Sequence, residues 1–388
     1  MRRVALVAAG MSDFGNRPTM TPASLFREAW DRMAASIDKP AWDGRVDEAW
    51  IGTVGFGGHQ PGNSAALFLQ ATPSLGAPAQ RVENACASSG FAIRDAALAV
   101  QSGACDVALA AGVESMNPYS RDHRGYWLGV SGDTEVERMA GLTFPGVYAL
   151  MARAHMDAYG TTGEHLAAVS VKNHRNGARN PHAQFRKEIT TAKALSSPLV
   201  ADPLRLFDCC GTTDGAACLL LVAEERVGAF TDRPVWLTGV GAATDTLALH
   251  DRRSLTAVEA TVRAARAAYE TAGRTAADVD LAEVHDCFTI AELVAVEDLG
   301  FFPKGKGGPA AAEGLLDHGG DVVVNPSGGL KAKGHPLGAT GAGQAVEVFH
   351  QLRGTADDRQ VEGARVALTH NVGGSGATCA VHLWEAEP

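Results

Sequence analysis

The sequence contains no Cys-x-x-Cys pair, no apolar run near the ~20 residues that span a membrane, and no excess of basic residues. The first absence argues against a structural zinc site, and the second predicts no membrane span. The net charge of −10 over 388 residues argues against nucleic acid as the main partner, because the surface would repel phosphates. Seven cysteines without regular spacing, and no signal peptide, favour a reducing cytoplasm over a disulfide framework.

What the sequence does contain is a regular alternation of strand-like and helix-like segments. Buried apolar runs such as 4–9 and 105–112 alternate with amphipathic segments such as 22–37 and 91–101. This alternation predicts βαβ units and a mostly parallel sheet with both faces covered. The fold class is therefore α/β.

The order of these segments repeats in the second half of the chain. The segments 234–241, 256–272 and 279–288 follow one another as the first strand, first helix and second strand do. We predict two similar α/β halves with an inserted lid, divided as follows: 1–115 and 200–231 for the first half, 116–199 for the lid, and 232–388 for the second half. A basic run begins at Lys172 inside this lid. It is either a solvated surface or a binding site for a phosphorylated ligand such as a nucleotide or coenzyme A.

Cys86 lies where a polar, turn-like segment enters an alanine-rich helix. Free N–H groups and the positive end of the helix dipole favour a thiolate at such a position. The small residues that follow, Ser88 to Gly90, leave room for a bulky electrophile. The alternative is a buried cysteine that packs as a small hydrophobe.

Polar islands interrupt apolar or glycine-rich surroundings in the second half. They are His285-Asp-Cys287-Phe288, the loop 325–341 with His335 in a Gly-His-Pro turn, and His370-Asn371-Val-Gly-Gly. Any one of these histidines could be structural. Together with Cys86 they supply a nucleophile, a base and a second acid/base, the groups that acyl transfer needs. A metal site is the weaker alternative, because no ligand spacing is short except His-x-Cys.

These motifs resemble those of the thiolase family. Asn84-Ala-Cys86-Ala-Ser-Ser-Gly is similar to the nucleophile loop, and Gly334-His335-Pro-Leu-Gly-Ala-Thr-Gly to the Gly-His-Pro signature. His285-Asp-Cys287-Phe288 resembles the sterol-carrier-protein-type branch, where other thiolases have Asn-Glu-x-Phe. The resemblance covers nearly the whole chain, without a lipid-transfer domain. It implies duplicated halves in five layers, α-β-α-β-α, with an inserted lid domain.

The resemblance also implies roles for these residues. Cys86 would carry the acyl group, and His335 would deprotonate it and later stabilise an enolate. His285 would serve in an oxyanion hole, and Cys287 would be the second acid/base.

A second oxyanion hole would use backbone N–H groups of Cys86, Gly373 and Gly374. Either His370 or Asn371 would occupy the place of the Cys-x-Gly cysteine of other thiolases, which this chain lacks.

The implied activity is that of an acyl-CoA C-acyltransferase, which interconverts two acyl-CoAs with a 3-oxoacyl-CoA and CoA. Coenzyme A thioesters would be substrates, and no permanently bound cofactor is expected. Residues expected to contact CoA are Met156, Cys210, Arg175, Arg179, Arg186 and Lys187. A homodimer and a small OB-fold partner protein are also implied. The alternatives are transfer to a non-CoA carbon nucleophile, and a non-catalytic acyl-CoA-binding subunit of a larger complex.

Overall fold

The computed structural model describes residues 2–39 and 42–387, and this part of the chain forms twelve strands and twelve α-helices. The strands are β1 (Val4–Met11), β2 (Glu48–Gly52), β3 (Ala79–Val82), β4 (Val107–Glu114), β5 (Leu199–Ala201), β6 (Leu204–Arg205), β7 (Gly215–Ala223), β8 (Val235–Thr244), β9 (Leu281–Glu283), β10 (Val323–Val324), β11 (Val366–Gly373) and β12 (Thr378–Ala386). The helices are α1 (Pro22–Ala35), α2 (Ser64–Leu69), α3 (Ser88–Ser102), α4 (Arg121–Gly129), α5 (Phe144–Tyr159), α6 (Gly163–Ala178), α7 (Thr191–Leu195), α8 (Glu259–Ala272), α9 (Thr289–Asp298), α10 (Gly307–Ala312), α11 (Gly329–Ala332) and α12 (Thr340–Leu352).

The strand order shows an internal duplication. Ten strands are hydrogen-bonded in the order β10-β9-β11-β12-β8-β1-β7-β4-β2-β3. Outward from the junction of β1 and β8, the first half runs β1-β7-β4-β2-β3 and the second runs β8-β12-β11-β9-β10. Each strand of one half thus has a counterpart of the same rank in the other, which confirms the predicted repeat. The two halves share strand pairing at 4–6 with 235–237, where β1 meets β8.

The helices form three layers around the two halves of the sheet. Helices α1 and α2 bury their apolar side chains against the outer face of the first half, and α8 and α9 cover the second half. Helices α3 and α12 lie between the halves and share one core, in which Ile93 and Phe349 are fully buried or nearly so. This is the five-layer α/β arrangement expected from the sequence.

The predicted sheet is mixed rather than mostly parallel, with five antiparallel and four parallel strand pairings among the described residues, because β1, β7, β8 and β12 pair antiparallel at its centre.

Two local predictions were also wrong. The start of the turn-like segment before Cys86, at 81–82, belongs to the edge strand β3, because an edge strand with exposed Ala79 and Gln80 carries no apolar pattern. The predicted strand 279–288 ends at Glu283. Beyond it, side chains bind the backbone in place of a neighbouring strand: the N–H of Val284 donates to Asn325 Oδ1 at 2.9 Å.

Helices α4 to α7 and the hairpin β5–β6 are inserted between β4 and β7. The four helices lie in the stretch 116–199 that the sequence assigns to a lid, whereas the hairpin lies almost wholly beyond its end. The status of the lid as a separate domain stays a prediction. Within the described ranges, no helix combines the length and the apolar character needed to cross a membrane.

Candidate active site

Cys86 stands on a tight turn between β3 and α3. Ala85 has a φ of +50°, a left-handed conformation that costs an alanine roughly 1–2 kcal/mol. The hydroxyl of Ser88 fixes this turn, since it accepts from the Asn84 N–H at 3.0 Å and donates to the Ala85 carbonyl at 2.6 Å. The turn places Cys86 at the buried seam between α3 and the second half, with 9% of its surface exposed.

The thiol of Cys86 is protonated in the resting protein. Backbone N–H groups of Gly374 and of Cys86 itself donate toward the sulfur, but burial, helped by the nearby Glu114 carboxylate, raises the pKa of Cys86 to about 12. At the resting thiol, desolvation therefore outweighs the N–H groups of the helix start, and deprotonation depends on a partner, as the resemblance implies for His335. Cys86 needs a base.

His335 is placed to be that base. The hydroxyl of Thr340 donates to the Pro336 carbonyl at 3.1 Å, so at 2.7 Å its oxygen accepts the proton of His335 Nδ1. The Nε2 atom of His335 therefore keeps a free lone pair. Burial lowers the pKa of His335 to about 3, which keeps the imidazole neutral and able to accept a proton.

His285 has the opposite tautomer. The side-chain amide of Asn371 donates to the Cys86 carbonyl at 2.9 Å and to Nδ1 of His285 at 3.3 Å, while its oxygen accepts from the Gly90 N–H at 3.2 Å. With Nδ1 as an acceptor, the proton of the neutral ring lies on Nε2. This Nε2 atom is buried and has no hydrogen-bond partner in the described ranges. It is an unused donor.

The three groups converge. The Cys86 sulfur and one ring nitrogen each of His285 and His335 lie within 4.8 Å of one another. The two rings meet edge to face, 5.0 Å between centres. Thiol and imidazole are also metal ligands, but a cation here would displace the proton that Asn371 keeps on His285 Nε2. The set therefore fits a developing oxyanion better than a cation.

Tyr148 connects Cys287 to the loop beside this cluster. Burial raises the pKa of Cys287 well above its usual value, so it too is a thiol. The Tyr148 hydroxyl lies in hydrogen-bonding range of Cys287 and donates to the Gly374 carbonyl at 3.2 Å. Its ring stacks on Phe288, 4.6 Å between centres. No sequence signal singles out Tyr148, because an aromatic residue on a helix is usually part of a core.

His370 and Asn371 point to opposite faces of β11. His370 accepts the N–H of His285 on Nδ1 at 3.3 Å, and its Nε2 donates to Thr261 at 2.9 Å, so it supports the His285 backbone from the α8 side. Asn371, described above, contacts Cys86 directly. The structure thus brings Asn371, and not His370, beside the nucleophile.

Glycines close the cavity at the end of β11. At Gly373 a Cβ atom would lie 2.3 Å from the Asn84 carbonyl oxygen, and at Gly374, with φ +60°, it would lie 2.5 Å from that of Ser131. Only glycine allows the backbone to approach Cys86 this closely.

The residues expected to contact coenzyme A are more scattered. The N–H of Cys210 donates to the Cys287 carbonyl at 3.0 Å, so Cys210 lies beside Cys287. Met156 packs against the core of the second half. Arg175 is paired with Asp317 at 2.6 Å. The three remaining residues expected there are exposed: Arg179, Arg186 and Lys187. Lys172, at the start of the basic run, is buried and paired with Glu292, so that part of the run is structural.

Comparison with known proteins agrees with this geometry. Residues 4–225 match the family "Thiolase, N-terminal domain", and residues 241–386 match "Thiolase C-terminal domain-like". The acetyl-CoA acetyltransferase of Methanothermobacter thermautotrophicus is 46% identical over 99% of this chain and 100% of its own length. Sterol carrier protein 2 of Homo sapiens is 35% identical over 97% of this chain and 71% of its own length.

A solved structure, the Ltp2-ChsH2(DUF35) aldolase, has the same fold. It superposes with a TM-score of 0.86 at 23% identity and covers 99% of this chain and 98% of its own. With both family matches and relatives over the full length, this chain belongs to the thiolase family, in the branch of the sterol carrier protein 2 thiolases.

Proposed function

We propose that this protein is an acyltransferase that interconverts two acyl-CoAs with a 3-oxoacyl-CoA and CoA. The observation that carries the proposal is the cluster of Cys86, His335 and His285, in which the sulfur and one ring nitrogen of each histidine lie within 4.8 Å. One imidazole has a free lone pair and the other a free N–H donor. These are the groups that a thioester exchange followed by a carbon–carbon bond formation requires. The acetyl group is the acyl group that the relative from Methanothermobacter thermautotrophicus suggests.

The first half-reaction acylates Cys86. Nε2 of His335 takes the thiol proton, and the sulfur attacks the thioester carbonyl of an acyl-CoA. The N–H groups of Cys86 and Gly374, which already donate to the sulfur, hold the oxyanion. The CoA thiolate leaves and takes the proton of Cys287. This leaves an acyl-enzyme, a protonated His335 and a Cys287 thiolate.

The second half-reaction forms the carbon–carbon bond. The Cys287 thiolate removes an α-proton from a second acyl-CoA, and protonated His335 with Nε2–H of His285 holds the enolate oxygen. The enolate carbon attacks the acyl group on Cys86. When the Cys86 sulfur leaves, His335 returns its proton, so every group regains its resting state. The reverse sequence is thiolysis.

Coenzyme A would lie along the inserted segment 116–199, with its phosphates near exposed Arg179, Arg186 and Lys187 and its pantetheine arm at Met156 and Cys210. Arg175 would join them only by leaving Asp317. The cycle leaves the protein without a permanently bound cofactor.

A homodimer is the proposed assembly, since β3 leaves a sheet edge with exposed Ala79 and Gln80 available for pairing. A small OB-fold partner is proposed from the DUF35 protein named in the related assembly. A reducing compartment such as the cytoplasm suits the cycle, because Cys86 and Cys287 must both be thiols. All seven cysteines, each within the described ranges, are free.

Mass spectrometry of the intact protein after mixing with acetyl-CoA tests the proposal. The wild type should gain the mass of one acetyl group, and Cys86→Ser should not. Cys287→Ala should still acylate but form no acetoacetyl-CoA. Absence of the adduct from the wild type would favour a non-catalytic acyl-CoA-binding subunit, and condensation at the normal rate without Cys287 would refute its role.

A further inference from the structure

Three lysines with less than 5% of their surface exposed lie near the active-site loops. The ammonium groups of two of them have hydrogen-bond partners. Lys333 binds Glu283 at 2.9 Å and the Gly343 carbonyl at 3.3 Å. Lys172 binds Glu292 at 3.0 Å and the carbonyl of Val324 at 2.7 Å. These two ammonium groups hold loops together, as buried charges normally do.

Lys331 differs. It is 3% exposed, yet its ammonium group makes no hydrogen bond or ion pair within residues 2–39 and 42–387. It lies 5.9 Å from the ring centre of Phe185 and 5.7 Å from that of Phe207. The nearby carboxylate of Asp286 is already bound by the N–H groups of Leu330 and Lys331. The ammonium group is not among the fully enclosed polar atoms, so its small exposed area lies where a ligand could reach it. A ligand that accepts a hydrogen bond would supply the missing partner.

His174 supplies an unused acceptor at the same place. Its ring lies 6.0 Å from that of Phe185 and 5.5 Å from that of Phe207. Nδ1 donates to the Lys187 carbonyl at 3.1 Å, which leaves a lone pair on Nε2. That atom is buried and has no partner in the described ranges. Burial, together with the charge of Lys331, lowers the pKa of His174 to about 4, so the ring is a neutral acceptor.

The donor and the acceptor lie beside a row of partly exposed side chains that ends at Cys210, next to Cys287. Phe185, Phe207, Cys209 and Cys210 are all half-buried. Cys210 lies near Lys331, and its N–H binds the Cys287 carbonyl at 3.0 Å.

We propose that Lys331 and His174 bind a secondary amide of the substrate's pantetheine arm between the rings of Phe185 and Phe207. Lys331 donates to the amide oxygen, and His174 Nε2 accepts the amide N–H. A secondary amide offers both an acceptor for Lys331 and a donor for His174, and its flat shape suits a place beside two aromatic rings. The inference rests on the proposed function, because it takes an acyl-CoA as the ligand.

The test compares acetyl-CoA with acetyl-pantetheine, which keeps both amides but lacks the nucleotide phosphates. Lys331→Met should raise KM about tenfold for both substrates by the same factor, with kcat little changed, the scale expected for a lost hydrogen bond to a charged donor. Lys331→Arg should recover part of the loss. The matched control is Lys193→Met, which removes an exposed ammonium 5.9 Å from the ring centre of Phe207 and should leave KM unchanged.

Thermal unfolding separates this role from a structural one. Since Lys331 is an unpaired buried charge, Lys331→Met should unfold at the same temperature as the wild type or higher. A lowered unfolding temperature, an unchanged KM, or a loss seen with acetyl-CoA alone would each overturn the proposal, the last because it would assign Lys331 to a phosphate.

Calorimetry with S-ethyl-pantetheine, which cannot acylate Cys86, makes the outcome independent of catalysis. Weaker binding of this probe by Lys331→Met supports the inference even if the wild type forms no acetyl-enzyme. Equal binding by both proteins counts against it even if catalysis is intact.

Discussion

Thr340 accepts the Nδ1 proton of His335 at 2.7 Å, and this single contact decides which nitrogen of the imidazole faces Cys86. The threonine oxygen can only accept, because its own proton is used by the Pro336 carbonyl at 3.1 Å. The base of the first half-reaction is therefore oriented by the first residue of α12. A contact that fixes a tautomer is expected to matter for rate more than for stability.

Thr340→Val should slow acylation of Cys86 by about 10- to 100-fold, the range seen when a group that orients an imidazole is lost. Single-turnover mixing with acetyl-CoA, followed by intact mass, measures the rate. Thr340→Ser keeps the hydroxyl and is the matched control. Acylation at the wild-type rate in the valine variant would show that His335 does not need this contact.

Asn371→Asp should impair condensation more than acylation. A carboxylate cannot donate to Nδ1 of His285, so the ring proton moves to Nδ1 and the oxyanion donor on Nε2 disappears. Loss of one such donor costs about 10²–10³ in rate. The formation of acetoacetyl-CoA and of the acetyl-enzyme should be measured on the same sample. An equal fall in both steps would contradict the role given to His285.

The pH dependence of acylation should lack the inflection of an ordinary histidine. Burial lowers the pKa of His335 to about 3, so the ring is in its basic form at any higher pH. The acylation rate should therefore show no inflection at the usual histidine pKa of about 6.5. Alkylation of free Cys86 by iodoacetamide should rise steadily with pH without a plateau, because its pKa is raised to about 12. A plateau near neutral pH would reveal a resting thiolate.

Tyr148→Phe should weaken the second half-reaction selectively. The hydroxyl connects Cys287 with the Gly374 carbonyl, and its removal leaves the Cys287 thiol with a less polar environment and a higher pKa. We expect thiolysis and condensation to fall about tenfold, less than the roughly 10²–10⁴ that the whole acid/base group contributes, because Cys287 itself remains, with acylation of Cys86 nearly intact. Phenylalanine keeps the ring that stacks on Phe288, so the free energy of unfolding should stay close to that of the wild type and serves as the internal control.

Gly341→Ala should damage both stability and activity. A Cβ atom there would lie 2.3 Å from Asn371 Oδ1 and 2.6 Å from the Gly90 nitrogen, so the amide that orients His285 must move. Overpacking of this kind typically costs about 1–3 kcal/mol, measurable by urea unfolding. Gly343→Ala is the control on the same helix, because its Cβ would meet only the Phe14 ring, at 3.1 Å. Equal effects of the two substitutions would refute the explanation.

The sequence predicts the parts of this site that depend on local pattern. Cys86 before a helix and His335 on a Gly-His-Pro turn are identifiable because turns and helix starts have sequence signals. The direction of the pKa shift of Cys86 does not follow from local pattern, since burial is a property of the whole fold and outweighs the helix start. Which of His370 and Asn371 faces Cys86 depends on the register of β11 against β9 and β12, which no local pattern shows.

The duplication divides the chemistry between its two copies. Cys86 precedes α3 in the first half, whereas His335 precedes α12, the counterpart of α3 in the second half, and His285 and Cys287 also lie there. One copy thus carries the acyl group, and the other supplies the side chains that transfer protons. Because α3 and α12 pack in one shared core, the packing between the two copies sets the distance from nucleophile to base. The interface that joins the copies is therefore also the part of the fold on which the chemistry depends.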